Sequence, residues 1–215
     1  MEKVKNFVWR LLMLNVGLLI FSMAIICAIK SGLGLSAWDV FHQGLSYHTP
    51  LTIGQANQLT GLVLIAVTFL LGQKPGIGTI SNMFFIGLWM DLILGLNILP
   101  NMNQYGLVAE LAMILLSISL FGLGSGLYVK ANLGTGPRDS LMLVLVRLTG
   151  QRVALVRGTI EIIFCFIGWL LGGTVGLGTV LIALGIGPSV ELGFKLFRVE
   201  VKKKAPTPVL SQVEI

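Results

Sequence analysis

The sequence predicts an all-α polytopic membrane protein. Six transmembrane helices form two inverted-topology three-helix repeats, each with a short non-spanning helix, re-entrant or interfacial, after its first span. Three observations predict this. Hydrophobic residues make up 55% of the 215-residue chain and charged residues 11%, with a mean hydropathy of +0.90, whereas soluble domains carry about 25% charged residues. Several apolar runs reach the ~20 residues needed to cross a bilayer. Finally, the string Lys30-Ser31-Gly32-Leu33-Gly34-Leu35-Ser36-Ala37-Trp38-Asp39 returns as Lys130-Ala131-Asn132-Leu133-Gly134-Thr135-Gly136-Pro137-Arg138-Asp139. A repeat of this kind fixes architecture before any local assignment.

The net charge of +6 does not point to nucleic acid. The basic residues flank apolar segments, where they anchor and orient spans, and no basic patch is interleaved with stacking aromatics. Cys27 and Cys165 both fall inside apolar runs without a partner motif or metal spacing.

The first span covers 11–29. Its apolar run is long for a leader's h-region of about 7–15 residues, and no A-x-A site follows. It also aligns with the internal segment 111–129, Phe21 with Phe121. A Gly-rich turn and a short amphipathic piece, 37–47, come next, then a polar turn at His48-Thr49-Pro50. The second span is 53–71. Gln73-Lys74-Pro75-Gly76 is a turn by composition, Thr79 reads as an N-cap, and the third span, 80–99, ends at Pro100. The second half repeats the plan with spans at 107–129, 153–171 and 179–197, its turn and short helix lying between 130 and 148. Leu71-Gly72 matches Leu171-Gly172, Gly76-Ile77-Gly78-Thr79 matches Gly176-Leu177-Gly178-Thr179, and Asp91 meets Glu191.

The predicted organisation is a first repeat at 1–105, a second at 106–200 and a disordered cytoplasmic tail at 201–215. Three spans per half force the second half to enter from the opposite side, the plan of many secondary transporters. Charge supports this orientation: Lys3, Lys5, Arg10, Lys74, Lys130, Arg138, Arg147, Arg152, Lys195, Arg198 and Lys202 to Lys204 all fall on the cytoplasmic side, and the outer loops hold only Lys30. Lys202 to Lys204 are expected at anionic headgroups.

Gly-rich interruptions at matching positions of two halves point to a transporter's binding site. The candidate substrate residues are therefore Asp39, Asp139, Arg138 and Trp38 with Gly34, Gly134 and Gly136. Two roles stand open for the aspartates. Ser36-Ala37-Trp38-Asp39 has the form of a capping box, and Gly136 with Pro137 forms an equally regular helix start. Alternatively, the carboxylates bind a coupling cation or a cationic group of the solute. Free helix-start amides can hold an anion, which the neighbouring carboxylates disfavour. Trp38 against Arg138 and His42 against Met142 indicate that the two copies have diverged.

Asp91 and Glu191, inside the third and sixth spans, are candidate coupling or ligand residues, or interhelical hydrogen-bonding groups. Arg157 and Glu161, four apart on one helix face, are expected to form a structural ion pair. His42 and His48 are expected at the interface in water. Gly122-x-x-x-Gly126 and Gly168-x-x-x-Gly172 are close-packing motifs, within one chain or across a homodimer. Gly185-Ile186-Gly187-Pro188 is expected to kink or break the sixth span. No catalytic set, metal cluster or cofactor loop occurs, so neither enzyme activity nor a cofactor is expected.

Gly-Leu-Gly-x-x-x-Trp-Asp-x-x-x-x-Gly at 32–44, Thr-Ile-Gly-Gln at 52–55 and Lys-Pro-Gly-Ile-Gly-Thr at 74–79 resemble the YczE/YyaS/YitT family of bacterial integral membrane proteins. Leu-Gly-Thr-Gly-Pro-Arg-Asp at 133–139 and Gly-Gly-Thr-Val-Gly-x-Gly-Thr at 172–179 extend the resemblance into the second half. It implies the multi-pass cytoplasmic membrane of a bacterium and leaves the substrate open. The expected function is a small secondary transporter or channel-like protein for a small polar or charged solute. The alternatives are a non-transporting accessory protein that binds a partner and, further off, an intramembrane enzyme.

Overall fold

The computed structural model describes residues 2–199, and all the regular structure among them is helical. The predicted tail, with Lys202 to Lys204, lies outside the described residues. Eight α-helices follow in order: α1 Glu2–Ser31, α2 Ala37–His48, α3 Ile53–Leu70, α4 Ile77–Leu96, α5 Leu107–Lys130, α6 Pro137–Thr149, α7 Val153–Leu170 and α8 Leu177–Leu196, with a 3-10 turn at Met102–Tyr105 before α5. All except α2 and α6 are long and apolar enough to cross a membrane. The two exceptions, at 12 and 13 residues, are too short.

The helices start where local chemistry satisfies their first amides. Thr52 caps α3 in a reciprocal box: its hydroxyl accepts from Gln55 N at 3.0 Å, and Thr52 N donates to Gln55 Oε1 at 3.0 Å. This accounts for the Thr-Ile-Gly-Gln string. Pro137 takes the first position of α6 behind the cap Gly136. The third predicted span begins earlier than expected, because Gly76 rather than Thr79 is the cap of α4. Thr79 sits inside the first turn and accepts from Gly76 N at 3.2 Å, and Thr179 does the same for Gly176 in α8. Helix α8 runs unbroken through Pro188.

The centre of the bundle is the antiparallel pair α1 and α5. Phe21 and Phe121 meet edge-on at 4.9 Å between centroids, and Gly17 lets the backbones close up, since a Cβ there would lie 2.6 Å from Tyr128 N. Leu18, Ile25, Met90, Ile114 and Ile182 complete the buried core. Helix α4 packs on α1 and α8 on α5. The second contact is the closer, because Gly122, Gly126 and Gly193 remove side chains from it: a Cβ on Gly126 would sit 2.7 Å from Gly193 O. Gly168 likewise lies against the backbone of Phe41 in α2. Both Gly-x-x-x-Gly motifs thus pack within the chain.

The short helices lie along the outer pair. α2 follows the C-terminal half of α7, from Trp38 stacked on Phe164 at 4.0 Å to Tyr47 beside Gly172. α6 lies along α3 in the matching way, ending where Arg147 Nη2 donates to Leu71 O at 2.6 Å. The Gly-rich turns are tied to the opposite half by equivalent bonds: Gly178 N donates to Leu33 O and Gly78 N to Leu133 O, both at 2.8 Å.

Candidate functional site

Each Gly-rich turn aims a short helix at the other. Gly34 and Gly134 have φ of 122° and 133°, a region that L residues with a Cβ avoid. Each also presses on a helix start. A Cβ on Gly34 would lie 2.8 Å from Gly176 N, and one on Gly134 would lie 3.3 Å from Gly76 Cα. The turns therefore seat against α8 and α4, and the chain leaves them directed inward.

The result is a cluster where the first turns of α2 and α6 meet. Arg138 Nη2 lies 3.9 Å from Asp39 Oδ1 and donates to Asn57 Oδ1 of α3 at 2.8 Å. Its guanidinium carbon stands 5.0 Å over the Trp38 ring, a cation–π contact. Asp39 also accepts from the Ser36 hydroxyl, and its Oδ1 lies 3.6 Å from His42 Nδ1. Asp139 sits one residue beyond Arg138 and accepts from the Tyr128 hydroxyl of α5 at 3.2 Å. A narrow cleft opens beside the cluster, walled by His42, Asn57, Thr60, Asn82, Pro137 and Arg138 among others, with about 10 Å³ open to water centres. That is room for about one water molecule.

Two sequence expectations change here. Asp39 does not complete a capping box, since Ser36 makes no side-chain cap bond and spends its hydroxyl on the Asp39 carboxylate instead. His42 is not at a wet interface: it is fully buried, and it shares the cleft with residues of α3, α4 and α6, among them Asn57, Asn82 and Arg138. His48 is exposed. Asp39 Oδ1 and both ring nitrogens of His42 are buried without a hydrogen-bond partner. Such atoms are rare in folded proteins, and each costs about 1–3 kcal/mol when left unmade.

Trp38, Asp39 and Arg138 thus come together, with Asp139 beside them, while Gly34, Gly134 and Gly136 shape the turns that place them. Asp91 and Glu191 are located elsewhere. Asp91 accepts from Thr52 Oγ1 at 2.6 Å and Gly54 N at 3.0 Å, holding the start of α3 to α4. Glu191 pairs with Lys195 at 2.8 Å on an exposed face of α8. Arg157 and Glu161 pair at 3.0 Å along α7. No group of three or more His, Cys, Asp or Glu able to hold a metal occurs among the described residues. Sequence reasoning overlooked Asn57, Asn82 and Tyr128. Two asparagines inside otherwise apolar spans were the available signal.

A family model described as a family of unknown function (DUF6198) matches residues 8–195. The chain is 38% identical over 173 residues to the uncharacterized membrane protein YczE of Bacillus subtilis, covering 80% of this chain and 79% of the relative. It is 34% identical to an uncharacterized protein of Haemophilus influenzae, covering 82% of each, and 28% identical to YyaS of Bacillus subtilis, covering 78% of this chain and 83% of the relative. No solved structure matches the chain. Six membrane-length apolar helices, a family match along nearly the whole bundle and relatives of this similarity agree with the motif resemblance: the chain is a membrane protein belonging to the family of unknown function DUF6198.

Proposed function

We propose that the chain is a small secondary transporter or channel-like protein of the bacterial cytoplasmic membrane. It moves a small polar or charged solute and is not an enzyme. Its two halves are inverted-topology repeats, α2 and α6 are re-entrant, and both termini are cytoplasmic. The reciprocal bonds from Gly178 to Leu33 and from Gly78 to Leu133 support an inverted pair, because each turn meets the opposite half's helix start in the same way. The positions of Arg10, Lys74, Arg147, Arg152 and Lys195 support the orientation.

The observation that carries the reading is the meeting of Asp39 with Arg138, beside a buried His42 whose nitrogens have no partner. Buried ionisable groups in a membrane bundle are costly and mark solute or ion paths. Broken or re-entrant helices whose N-terminal ends converge are the usual form of such a site. Asp39 Oδ1 and the His42 nitrogens, buried without a hydrogen bond, serve no packing purpose that an apolar residue would not serve better.

The test is flux. Purified protein in liposomes, challenged with a panel of small polar solutes and ions, is expected to move at least one. Asp39→Asn and Asp139→Asn should abolish that flux with the protein still folded. Absence of flux across the panel, with one partner protein co-purifying reproducibly, would replace the reading with that of an accessory protein.

A further inference from the structure

The two halves differ most at one seam. In the first half, α3 packs along α4, whereas the equivalent helices α7 and α8 scarcely touch. The register shows which side chains make the difference. Gly61 receives Met83, whose Cγ would lie 2.7 Å from a Cβ there, and Gln58 Nε2 donates to Phe84 O at 2.9 Å. Asp91 then fastens the seam's end to α3. In the second half Gln58 is replaced by Gly158, Gly61 by Glu161, Met83 by Ala183 and Asp91 by Glu191. Nothing lies within 4 Å of a Cβ at Gly158 or at Gly187, Ala183 is exposed, and Glu191 is turned to Lys195.

The open seam is lined by charge. Gly158, Glu161 and Cys165 share one stripe of α7 by helical spacing, and Cys165 packs against the core that includes Ile114 and Ile182. The stripe therefore borders the bundle, its Cys165 end against the core and Gly158, Glu161 and Cys165 all half-buried. Glu161 is nonetheless 38% exposed and Arg157 53%. Glu161 stands eight residues into α7, about 12 Å from its start at 1.5 Å per residue, too deep for a short carboxylate to reach the headgroups. A charge at that depth costs about 2.5–3.5 kcal/mol in hydrocarbon, so its exposed surface requires water. Val156 and Ile160 of the same helix pack with Trp38, over which Arg138 of the central cluster stands.

We propose that the seam between α7 and α8 is a water-filled entrance to the Asp39–Arg138 cluster. It is walled by Arg157 and Glu161 and opens on the side of the bundle that carries Arg152 and Lys195, while the matching seam between α3 and α4 is shut by Met83, Gln58 and Asp91. Its use as a solute route rests on the transport reading; its existence does not.

Single cysteines at Gly158→Cys and Ala183→Cys, with Gln58→Cys and Met83→Cys as the matching positions of the first half, are reacted in sealed vesicles with a membrane-impermeant sulfonated maleimide. The unsubstituted chain sets the background from Cys27 and Cys165. G158C and A183C are expected to label at least tenfold faster from the Arg152 side than from the other, and faster than Q58C and M83C from either. Adding Ala183→Met to G158C should slow its labelling by refilling the seam. Labelling only by a membrane-soluble maleimide would mean that lipid fills the seam, and a disulfide between two G158C chains would mean that a second copy covers it. Either overturns the proposal. One-sided labelling without any solute flux would keep the entrance and remove the transport reading.

Discussion

Asp39 and Arg138 lie in different halves of the chain, yet Oδ1 and Nη2 are 3.9 Å apart, with Asp39 almost fully buried. Removing one partner of such a pair leaves a charge stranded away from water, which costs more than removing both. Arg138→Met is therefore expected to lower thermal stability by about 1–3 kcal/mol, the smaller end reflecting its partial exposure. Asp39→Asn combined with Arg138→Met should recover part of that loss. A double-mutant cycle in detergent checks it, and an interaction energy below about 0.5 kcal/mol would show the pair to be uncoupled.

Asp91 and Glu191 occupy equivalent register positions but do different work. Asp91 accepts the Thr52 hydroxyl and the Gly54 amide at the start of α3, whereas Glu191 makes an exposed four-residue pair with Lys195. Asp91→Ala should cost about 1 kcal/mol, as a lost helix cap does. Glu191→Ala should stay within about 0.5 kcal/mol, as exposed pairs contribute little. Thermal unfolding of both variants separates them, and equal losses would contradict the observed asymmetry.

Much of this architecture was legible in the chain. The start of every helix from α2 onward in the first half falls one hundred residues before its counterpart, as the repeat required. The Thr52, Pro137 and Gly-rich signals act through local backbone chemistry that sequence alone reports. His42 was misread for the opposite reason. Its burial comes with residues of α3, α4 and α6, elements that nothing near it in sequence announces. The Asp39–Ser36 spacing fitted a cap, but the hydroxyl reaches the carboxylate instead of an amide, and the other carboxylate oxygen faces Arg138 of α6.

The two turn glycines should not tolerate a methyl group equally. Both hold positive φ, so alanine is strained at either site. At Gly34 the added Cβ also meets Gly176 N at 2.8 Å, whereas at Gly134 its nearest neighbour is the Thr79 hydroxyl at 3.2 Å. Gly134→Ala is expected to cost about 1–2 kcal/mol, the range for a strained backbone position, and Gly34→Ala more than that. Yield and melting temperature of the two variants give the order, which a larger loss at Gly134 would reverse.

His42 offers the sharpest separation of stability from function. Both ring nitrogens are buried without a partner, and Phe41 packs on the ring at 6.0 Å between centroids. If the histidine served the fold, removing it would weaken the protein. If it is kept for a solute, the empty protein bears an unsatisfied polar group that an apolar side chain of similar size would relieve. His42→Leu is therefore expected to raise stability by about 1 kcal/mol while abolishing solute flux, the trade-off seen where strained groups are kept for activity. Thermal unfolding and liposome flux, measured on the same preparation, decide between the two. A destabilised H42L that still transports would assign His42 to the core and leave Asp39 and Arg138 as the groups that meet the solute.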